Sequence, residues 1–527
     1  MTVSLSEPET AARRGLAETR SGSAPAGLRF AVLGPPAIQL VRFLTKIALA
    51  WFVLPGEFGE ALLAGLVLYG VAHAAALGLD EAWIFTREWS RACWRRLRRL
   101  HQLAGASCAL VTAALALALR GAHGYPELSG LLLALAPMAW SANLSVLPMA
   151  ALTRQRAYRD LFRLELAGVS SYAAVLLVAA ALGAGPWSYV LGLHANALVM
   201  ALLGRRLAAA HLPPDRVDDL GDAGGADRGA STVRYGAHLC GATVLGFFVE
   251  KLDSLAIAAF LGRVALGLYE LALHASSVAL NYATGLSERV LFPTLAAQRR
   301  SDEDLGRSYL EVLRSTVVFL VPLHMVLALV AAPLADILFP GSYGGAAILL
   351  SLLAPAAGAR CLEVVCITAL KAHGASAQVL RLGLVRLALL LGGLAIALPR
   401  GLSAVAWAVL ATRVAAAAAA LVLAQRALRP RAPAGRSLAR AFAFLGAFVA
   451  SLGAGVLGVH SLALGAPPAL VLDLALAALL WLLARSLVDG RALREERRSL
   501  RARWSAAAQD RARRTASSTS STSASDR

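Results

Sequence analysis

Apolar segments of about 20 residues recur along this chain and are separated by short polar connections. A helix needs about 20 apolar residues to cross the hydrocarbon core of a bilayer. Backbone inside that core must satisfy its hydrogen bonds within helices or a closed barrel, and the period-two alternation of barrel strands is missing. The chain has 527 residues, of which 58% are hydrophobic, and is therefore predicted to be an all-α polytopic membrane protein.

Fourteen segments are predicted to span the membrane and are numbered in chain order. They comprise residues 30–53, 58–85, 101–119, 128–150, 160–182, 186–207, 233–260, 266–292, 312–332, 344–369, 378–398, 402–424, 438–459 and 464–487.

The formal net charge of +19 comes mainly from basic residues in alternate connections between these spans. One alternate set of connections is rich in arginine, as in "REWSRACWRRLRRLH" before span 3, whereas the other set holds only Arg120, Arg263 and Arg400. Cytoplasmic loops carry the Lys and Arg excess in membrane proteins, so both termini are expected in the cytoplasm. Membrane lipids with anionic head groups are expected partners on that side, and nucleic acid is not.

The two halves of the chain resemble each other in order. "FVLPGEFGEALLAG" aligns with "AFLGRVALGLYELAL", and Pro137 and Arg163 align with Pro355 and Arg381 at one offset of 218. Spans 1–6 and 7–12 therefore form two copies of a six-helix unit in the same orientation. Such repeats are related by an axis along the membrane normal and enclose the binding site between them.

The repeat sets the predicted domain boundaries. They are a cytoplasmic N-terminal tail (1–29), an N-lobe of spans 1–6 (30–207), a cytoplasmic linker (208–232), a C-lobe of spans 7–12 (233–424), a basic cytoplasmic loop (425–437), accessory spans 13 and 14 (438–487), and a basic, Ser/Thr-rich disordered cytoplasmic tail (488–527).

No sequence motif indicates catalysis. "GAGVLG" matches the dinucleotide pattern G-x-G-x-x-G, but it lies inside span 13, where small residues favour close helix packing. That fingerprint also requires a preceding strand. "DED" before span 9 is interpreted as a solvated helix start, and the five cysteines lack metal-ligand spacing. We therefore predict no enzymatic activity, no cofactor and no metal site.

Ionisable residues inside the spans are the candidates for function. A charge facing lipid at mid-bilayer costs about 2.5–3.5 kcal/mol on insertion scales, so such residues are expected to face a polar cavity or one another. Arg42 and Lys46 share one face of span 1 with Gln39. The candidate substrate-binding residues are Gln39, Arg42, Lys46, His73, His274 and Asn281, and the candidate coupling or gating residues are Glu250, Lys251, Asp253 and Glu270. Interhelical bonding without a transport role is the alternative.

Two further expectations concern ion pairs. Arg360 and Glu363 in span 10 are expected to pair with each other, whereas Arg413 and Asp473 have no assigned role. At an offset of 207 the repeat places Lys46 of span 1 on Asp253 of span 7. We predict that this lysine and aspartate pair across the lobes in one state only and thereby close the external side, and a permanent structural pair is the alternative.

The chain resembles the polysaccharide exporters and Wzx-type O-antigen flippases of the multidrug/oligosaccharidyl-lipid/polysaccharide (MOP) exporter superfamily. The resemblance rests on "LPGEFG", "LGRVALGLYELA" and "ERVLFPTLAAQ" and covers about residues 30–425. It implies alternating access around a cavity lined by spans 1, 2, 7 and 8. It also implies that a lipid-linked anionic oligosaccharide, on a carrier of undecaprenyl-pyrophosphate type, crosses the bacterial inner membrane to the external leaflet. A polysaccharide polymerase and glycosyltransferases are the implied protein partners.

Three alternatives stay open. A MATE-type multidrug exporter of the same superfamily carries cations and favours an acidic cavity, which the basic face of span 1 opposes. A peptidoglycan-precursor (lipid II) flippase would look similar. In a non-transporting membrane scaffold of a polysaccharide synthase, the polar residues would serve packing alone.

Reporter fusions test the predicted topology. Fusions after Arg99, Gln298 and Arg431 are expected to report the cytoplasm, and fusions after Gly124 and Gly341 the outside, because of the arginine asymmetry. A reversed signal at Gly341 would contradict the span count in the second half of the chain.

Overall fold

The computed structural model describes most of the chain, and within the described ranges the regular structure is helical. The ranges are 24–75, 91–121, 126–155, 157–212, 246–300, 305–428, 432–460 and 466–489. The predicted linker from residue 213 onward and most of both tails lie outside them. The prediction of an all-α polytopic protein is confirmed.

Each predicted span contains a helix, and we keep the span number for it. Spans 1–6 are Ala24–Ala50, Pro55–Ala75, Arg91–Gly121, Pro126–Arg154, Tyr158–Ala181 and Trp187–Ala209. Span 7 is helical over its described residues 246–260, and span 8 begins as Gly262–Ser276 and continues as Val278–Leu286, a π-helical turn Ser287–Leu291 and Phe292–Arg300. Span 9 comprises Leu305–Ser315, a π-helical turn Thr316–Leu320 and Val321–Leu329, followed by the short helix Ala331–Leu338. Spans 10–14 are Ala346–His373, Ser376–Ala397, Leu402–Leu428, Ala432–His460 and Ala466–Asp489.

Eight of the described helices are long and apolar enough to cross a bilayer, namely spans 3–6 and 9–12. Spans 1, 2, 7, 8, 13 and 14 fall outside this group over their described residues. The first four of them are the spans that the family resemblance places around the cavity. Their ionisable residues and the breaks in span 8 therefore coincide with a position between the lobes, where water and polar neighbours reduce the cost of a charge.

The helix packing of the first unit recurs in the second. Span 4 packs on spans 2, 3 and 6, and span 10 packs on spans 8, 9 and 12. Spans 5 and 6 pack together, as do spans 11 and 12. Pro137 and Pro355, which the repeat aligns, both lie inside long helices. Spans 13 and 14 pair with each other and attach to span 9, where Trp481 Nε1 donates a hydrogen bond to Val318 O at 2.9 Å.

The two units meet most closely where span 2 crosses span 8. A Cβ atom at Gly59 would lie 1.9 Å from the carbonyl oxygen of Arg263, and one at Gly267 would lie 2.0 Å from that of Pro55. Both obstacles are backbone atoms, which cannot move aside as a side chain can. Only glycine fits this crossing, and the two glycines occupy equivalent positions at a repeat offset of 208.

Two hydrogen bonds between the units flank this crossing. Trp51 Nε1 donates to Leu338 O at 3.0 Å, and Tyr343 Oη donates to Val53 O at 2.9 Å. These residues lie at or beside connections that are poor in arginine, on the side that the charge asymmetry assigns to the outside. The two units are thus joined at the arginine-poor end of the bundle.

Alanine at Gly267 tests the crossing. The added methyl group cannot fit against Pro55 O, so the helices must separate at a cost of about 1–3 kcal/mol to the joined arrangement. We expect Gly267→Ala to lower disulfide formation between Gly56→Cys and Val264→Cys, in a chain whose native cysteines are replaced. These two positions are close, because a Cβ atom at Gly56 would lie 3.3 Å from Cγ2 of Val264.

Gly130→Ala is the matched control, since a Cβ there would meet the Trp187 ring at an ordinary 3.7 Å. An unchanged crosslinking yield in Gly267→Ala would mean that the crossing does not depend on the missing side chain.

Candidate functional site

A cavity of about 250 Å³ lies between the two units, within spans 1, 2, 5, 6, 7 and 8. Spans 1, 2, 5 and 6 come from the first unit, and spans 7 and 8 from the second. The ionisable, aromatic and amide side chains of its wall are Arg42, Lys46, Tyr69, Tyr172, Tyr189, Asn196, Lys251, Glu270 and His274. Three bases and one acid give this wall a formal charge of +2 with histidine neutral, so it favours anions.

Span 1 contributes the basic face that the sequence predicts. Arg42 is exposed and Lys46, one turn further on, is half-buried, and both line the cavity. Gln39 lies on the same helix face but outside the cavity lining. The helical spacing therefore places two of the three predicted span 1 residues at the site.

Glu270 joins the ionisable groups of the second unit. Its carboxylate is 2% exposed, accepts a hydrogen bond from Ser254 Oγ at 2.5 Å, and lies 3.6 Å from Lys251 Nζ and 3.3 Å from His274 Nε2. The same His274 nitrogen contacts Lys46 Nζ across the cavity. A chain of polar contacts thus runs from span 7 through span 8 to span 1, which links the two units electrostatically.

Lys46 and Asp253 do not pair as the sequence predicts in this conformation. Asp253 is buried and accepts hydrogen bonds from Tyr269 Oη at 2.6 Å and from Ser254 N at 2.8 Å. The physical reason is a one-residue error in register. The glycines that touch have an offset of 208, which places Lys46 on Ser254 and not on Asp253. One residue rotates a side chain by about 100° around a helix.

The remaining predicted residues lie away from the cavity or outside the described side chains. Asn281 is exposed on the second segment of span 8 and does not line the cavity. His73 falls in the helix of span 2, but its side chain is outside the described part of the structure.

Sequence reasoning missed Tyr172, Tyr189 and Asn196 of spans 5 and 6. The two tyrosine rings meet edge to face with centroids 6.3 Å apart. Gly65 of span 2 makes room for them, because a Cβ there would lie 2.7 Å from Tyr189 Oη. Tyrosine and asparagine in otherwise apolar spans were the available signal, but spans 5 and 6 hold no ionisable stripe of the kind that drew attention to spans 1, 7 and 8.

Glu250 lies in a separate cluster inside the second unit. Its carboxylate oxygens are 2.9 Å from Arg360 Nη2, 2.9 Å from Arg386 Nη1 and 3.1 Å from Arg413 Nη2. These arginines belong to spans 10, 11 and 12. One carboxylate of span 7 therefore ties together three other helices.

The predicted ion pair in span 10 is confirmed, and it belongs to this cluster. Arg360 Nη1 lies 2.9 Å from Glu363 Oε1, and Arg386 Nη1 lies 3.7 Å from the same oxygen. Arg413, to which the sequence assigned no role, is a partner of Glu250. Arg386 was not predicted, although its position well inside span 11 was a signal comparable to that of Arg413.

The comparisons with known proteins concern both the sequence and the fold. A family model described as polysaccharide biosynthesis protein matches residues 48–347, which run from span 1 into span 10. No curated protein matches the chain in sequence.

Solved structures match over most of the chain. Lipid II flippase MurJ, in an inward closed conformation, aligns with a TM-score of 0.63 at 10% identity, over 88% of this chain and 99% of that one. A variant of the Vibrio cholerae MATE transporter VcmN aligns with a TM-score of 0.52 at 18% identity, over 77% and 96%. An inward-facing multidrug resistance MATE family transporter of the MOP superfamily aligns with a TM-score of 0.52 at 13% identity, over 76% of this chain and 98% of that one. The chain has the fold of these transporters, as its resemblance to the MOP superfamily predicted.

Glutamine at position 250 tests the arginine cluster. Among the described residues, Glu250→Gln leaves Glu363 as the ion-pair partner of Arg360 and Arg386 and removes the carboxylate that pairs with Arg413. Removing one partner of a buried pair costs roughly 3–5 kcal/mol. Glu250 is itself 42% exposed, so we expect a loss near the lower end, measured as a lower melting temperature of the purified protein.

The double variant Glu250→Gln/Arg413→Gln removes one charge of each sign and is expected to recover part of the loss. An equal melting temperature for the single variant and the unchanged protein would show that the cluster does not stabilise the second unit.

Proposed function

Since the chain belongs to the family of polysaccharide biosynthesis proteins, we propose that it is a flippase that moves a lipid-linked anionic oligosaccharide across the membrane. The observation that carries this proposal is a basic cavity between two helical units that are joined at one end. The charge asymmetry of the loops supports a multi-pass protein of the bacterial inner membrane with both termini in the cytoplasm. The protein acts as a transporter and not as an enzyme.

The cavity lowers the electrostatic barrier for the phosphates of the substrate. A diphosphate has to cross about 30 Å of hydrocarbon, and a charge in that medium costs several kcal/mol when it has no partner. Arg42 offers two parallel N–H donors to a phosphate, whereas Lys46 and Lys251 act as point charges. These three side chains supply a cationic path at the centre of the bundle.

Glu270 holds the lysines when substrate is absent. It lies 3.6 Å from Lys251 and reaches Lys46 through His274. An incoming diphosphate carries more negative charge than one carboxylate and competes for the same cations. Substrate binding then weakens the polar chain between spans 1 and 8, and this couples occupancy of the cavity to the contact between the two units.

The aromatic and amide residues of the cavity are suited to sugar. The rings of Tyr69, Tyr172 and Tyr189 offer flat surfaces with polar tips, and the Asn196 amide both donates and accepts hydrogen bonds. A volume of about 250 Å³ lies below the range of roughly 300–1,000 Å³ of pockets for drug-sized ligands. In this conformation the cavity therefore accommodates the diphosphate and the first sugar, and a longer oligosaccharide requires a wider state.

Closure of the arginine-poor end is reversible on energetic grounds. Arg263 Nη1 lies 3.0 Å from Glu60 Oε2 and 3.0 Å from Glu127 Oε2, and it bridges the two units beside the glycine crossing. Arg263 and Glu127 are 58% and 66% exposed, and an exposed ion pair contributes about 0–1 kcal/mol. Glu60 is 8% exposed, but water still screens its pair with Arg263 from the exposed arginine side. Such contacts favour the joined state without trapping it, as alternating access requires.

The charge of the cavity separates one of two alternatives from the proposed function. A multidrug transporter for organic cations would need an acidic wall, whereas this wall has a formal charge of +2. A lipid II flippase would also carry a diphosphate, so the cavity charge does not distinguish it from an exporter of surface polysaccharide. The family match favours a surface-polysaccharide precursor as the substrate. A polysaccharide polymerase and glycosyltransferases are then the proposed protein partners.

Substitution of Arg42 tests the proposed function. We expect Arg42→Ala to lower surface polysaccharide at least tenfold in cells, since a hydrogen bond to a charged group contributes about 1.5–3 kcal/mol. Arg42→Lys keeps the charge and is expected to keep part of the export. Lipid-linked oligosaccharide should accumulate in the inner leaflet at the same time.

Arg163→Ala is the matched control, because Arg163 is an exposed arginine of span 5 that does not line the cavity. Normal export by Arg42→Ala at an equal protein level would contradict substrate contact. Unchanged export after substitution of Lys46, Lys251 and Arg42 together would favour a non-transporting scaffold.

A further inference from the structure

A second cavity, of about 550 Å³, lies within the first unit between spans 3, 4 and 6. It shares no lining residue with the central cavity. Its polar wall contains Arg98, Gln102, Asn143 and Arg205, and no Asp or Glu occurs among the described residues that line it. Over the described part of its lining, this cavity therefore presents two positive charges and no carboxylate to pair with them.

Helical periodicity brings these side chains together. On span 3, Trp94 and Arg98 are four residues apart, and His101 follows at the seventh position, so all three share one face. Trp140 and Asn143 share a face of span 4 in the same way. Arg205 stands in the last turns of span 6, opposite both helices.

The floor of the cavity is apolar and rigidly packed. Trp94 is only 8% exposed and belongs to a buried cluster with Leu97, Leu147 and Ala151. Trp140, in contrast, is 45% exposed at the rim. The cavity thus offers an ordered aromatic base, an exposed indole at its mouth and two guanidinium groups.

The position of the cavity in the membrane follows from the helices that line it. Arg98 belongs to the arginine-rich segment at the start of span 3, and Arg205 lies close to the end of span 6. Both helices are long and apolar enough to cross a bilayer, so these ends lie at its interface with water. Tryptophan is enriched at that interface, and basic pockets between transmembrane helices on the cytoplasmic side bind anionic lipid head groups.

We propose that this cavity is a binding site for an anionic phospholipid of the surrounding leaflet. The phosphodiester accepts hydrogen bonds from Arg98 and Arg205, the amides of Gln102 and Asn143 contact the polar part of the head group, and an acyl chain leaves along Trp140. The site is separate from the transport path and does not depend on the proposed function.

Lipid binding to the purified protein tests the proposal. Native mass spectrometry with phosphatidylglycerol and, separately, phosphatidylcholine measures which lipid stays bound. We expect phosphatidylglycerol to bind in preference, and Arg98→Gln/Arg205→Gln to weaken its binding at least tenfold while phosphatidylcholine is unaffected.

The matched control is Arg95→Gln/Arg206→Gln. It removes the same charge from the same ends of the same two helices. All four arginines are exposed, but Arg95 and Arg206 lie outside the cavity lining. Equal weakening in both double variants would overturn the proposal in favour of general surface attraction. Equal binding of both lipids to the unchanged protein would also overturn it.

Fluorescence locates the lipid independently of the arginines. Phosphatidylglycerol brominated on its acyl chains should quench the unchanged protein more than Trp140→Phe, because bromine quenches nearby indoles. Identical quenching of the two proteins would place the acyl chain elsewhere and contradict the site.

Discussion

Two carboxylates inside the helical bundle, Glu250 and Glu270, organise the contacts on which the rest of the structure depends. Each would be costly in a membrane without a partner. Glu250 is satisfied by arginines of three neighbouring helices, and Glu270 by a lysine, a serine and a histidine. One carboxylate holds the second unit together, and the other faces the first unit. Each carboxylate requires charged or hydrogen-bonding partners. Helix positions in this lobe therefore follow from charge pairing as well as from apolar packing.

The two clusters differ in their position relative to the central cavity. Glu250 is 42% exposed, but its arginine partners are only 4–18% exposed and do not line the cavity, which suits a structural role. Glu270, by contrast, is buried, and its partners Lys251 and His274 are about 30% exposed and border the cavity. A cation that borders the cavity can exchange its carboxylate partner for a ligand. We therefore assign a structural role to the Glu250 cluster and a response to substrate to the Glu270 cluster.

The sequence predicted the helices and the charged residues of the cavity better than it predicted the ion pairs between helices. Long apolar runs and the placement of Arg42, Lys46 and Glu270 depend on local periodicity, which is visible in one chain. Partners depend on the rotation of one helix against another, and an error of one residue moved Lys46 away from Asp253. Arg386 shows the same limit, because its partner Glu250 is 136 residues away in sequence.

The glycine crossing between spans 2 and 8 has a mechanical consequence. At Gly59 and Gly267, backbone meets backbone, so this part of the contact has no side chains that must change rotamer. Elsewhere, rotation of one packed helix against another requires many side chains to change rotamer together, which creates a barrier. Because no rotamer change is required at the two glycines, the crossing can act as a pivot between the two lobes. The ion pairs of Arg263 beside the crossing then contribute to the barrier to opening, and added salt is expected to speed opening because it screens them.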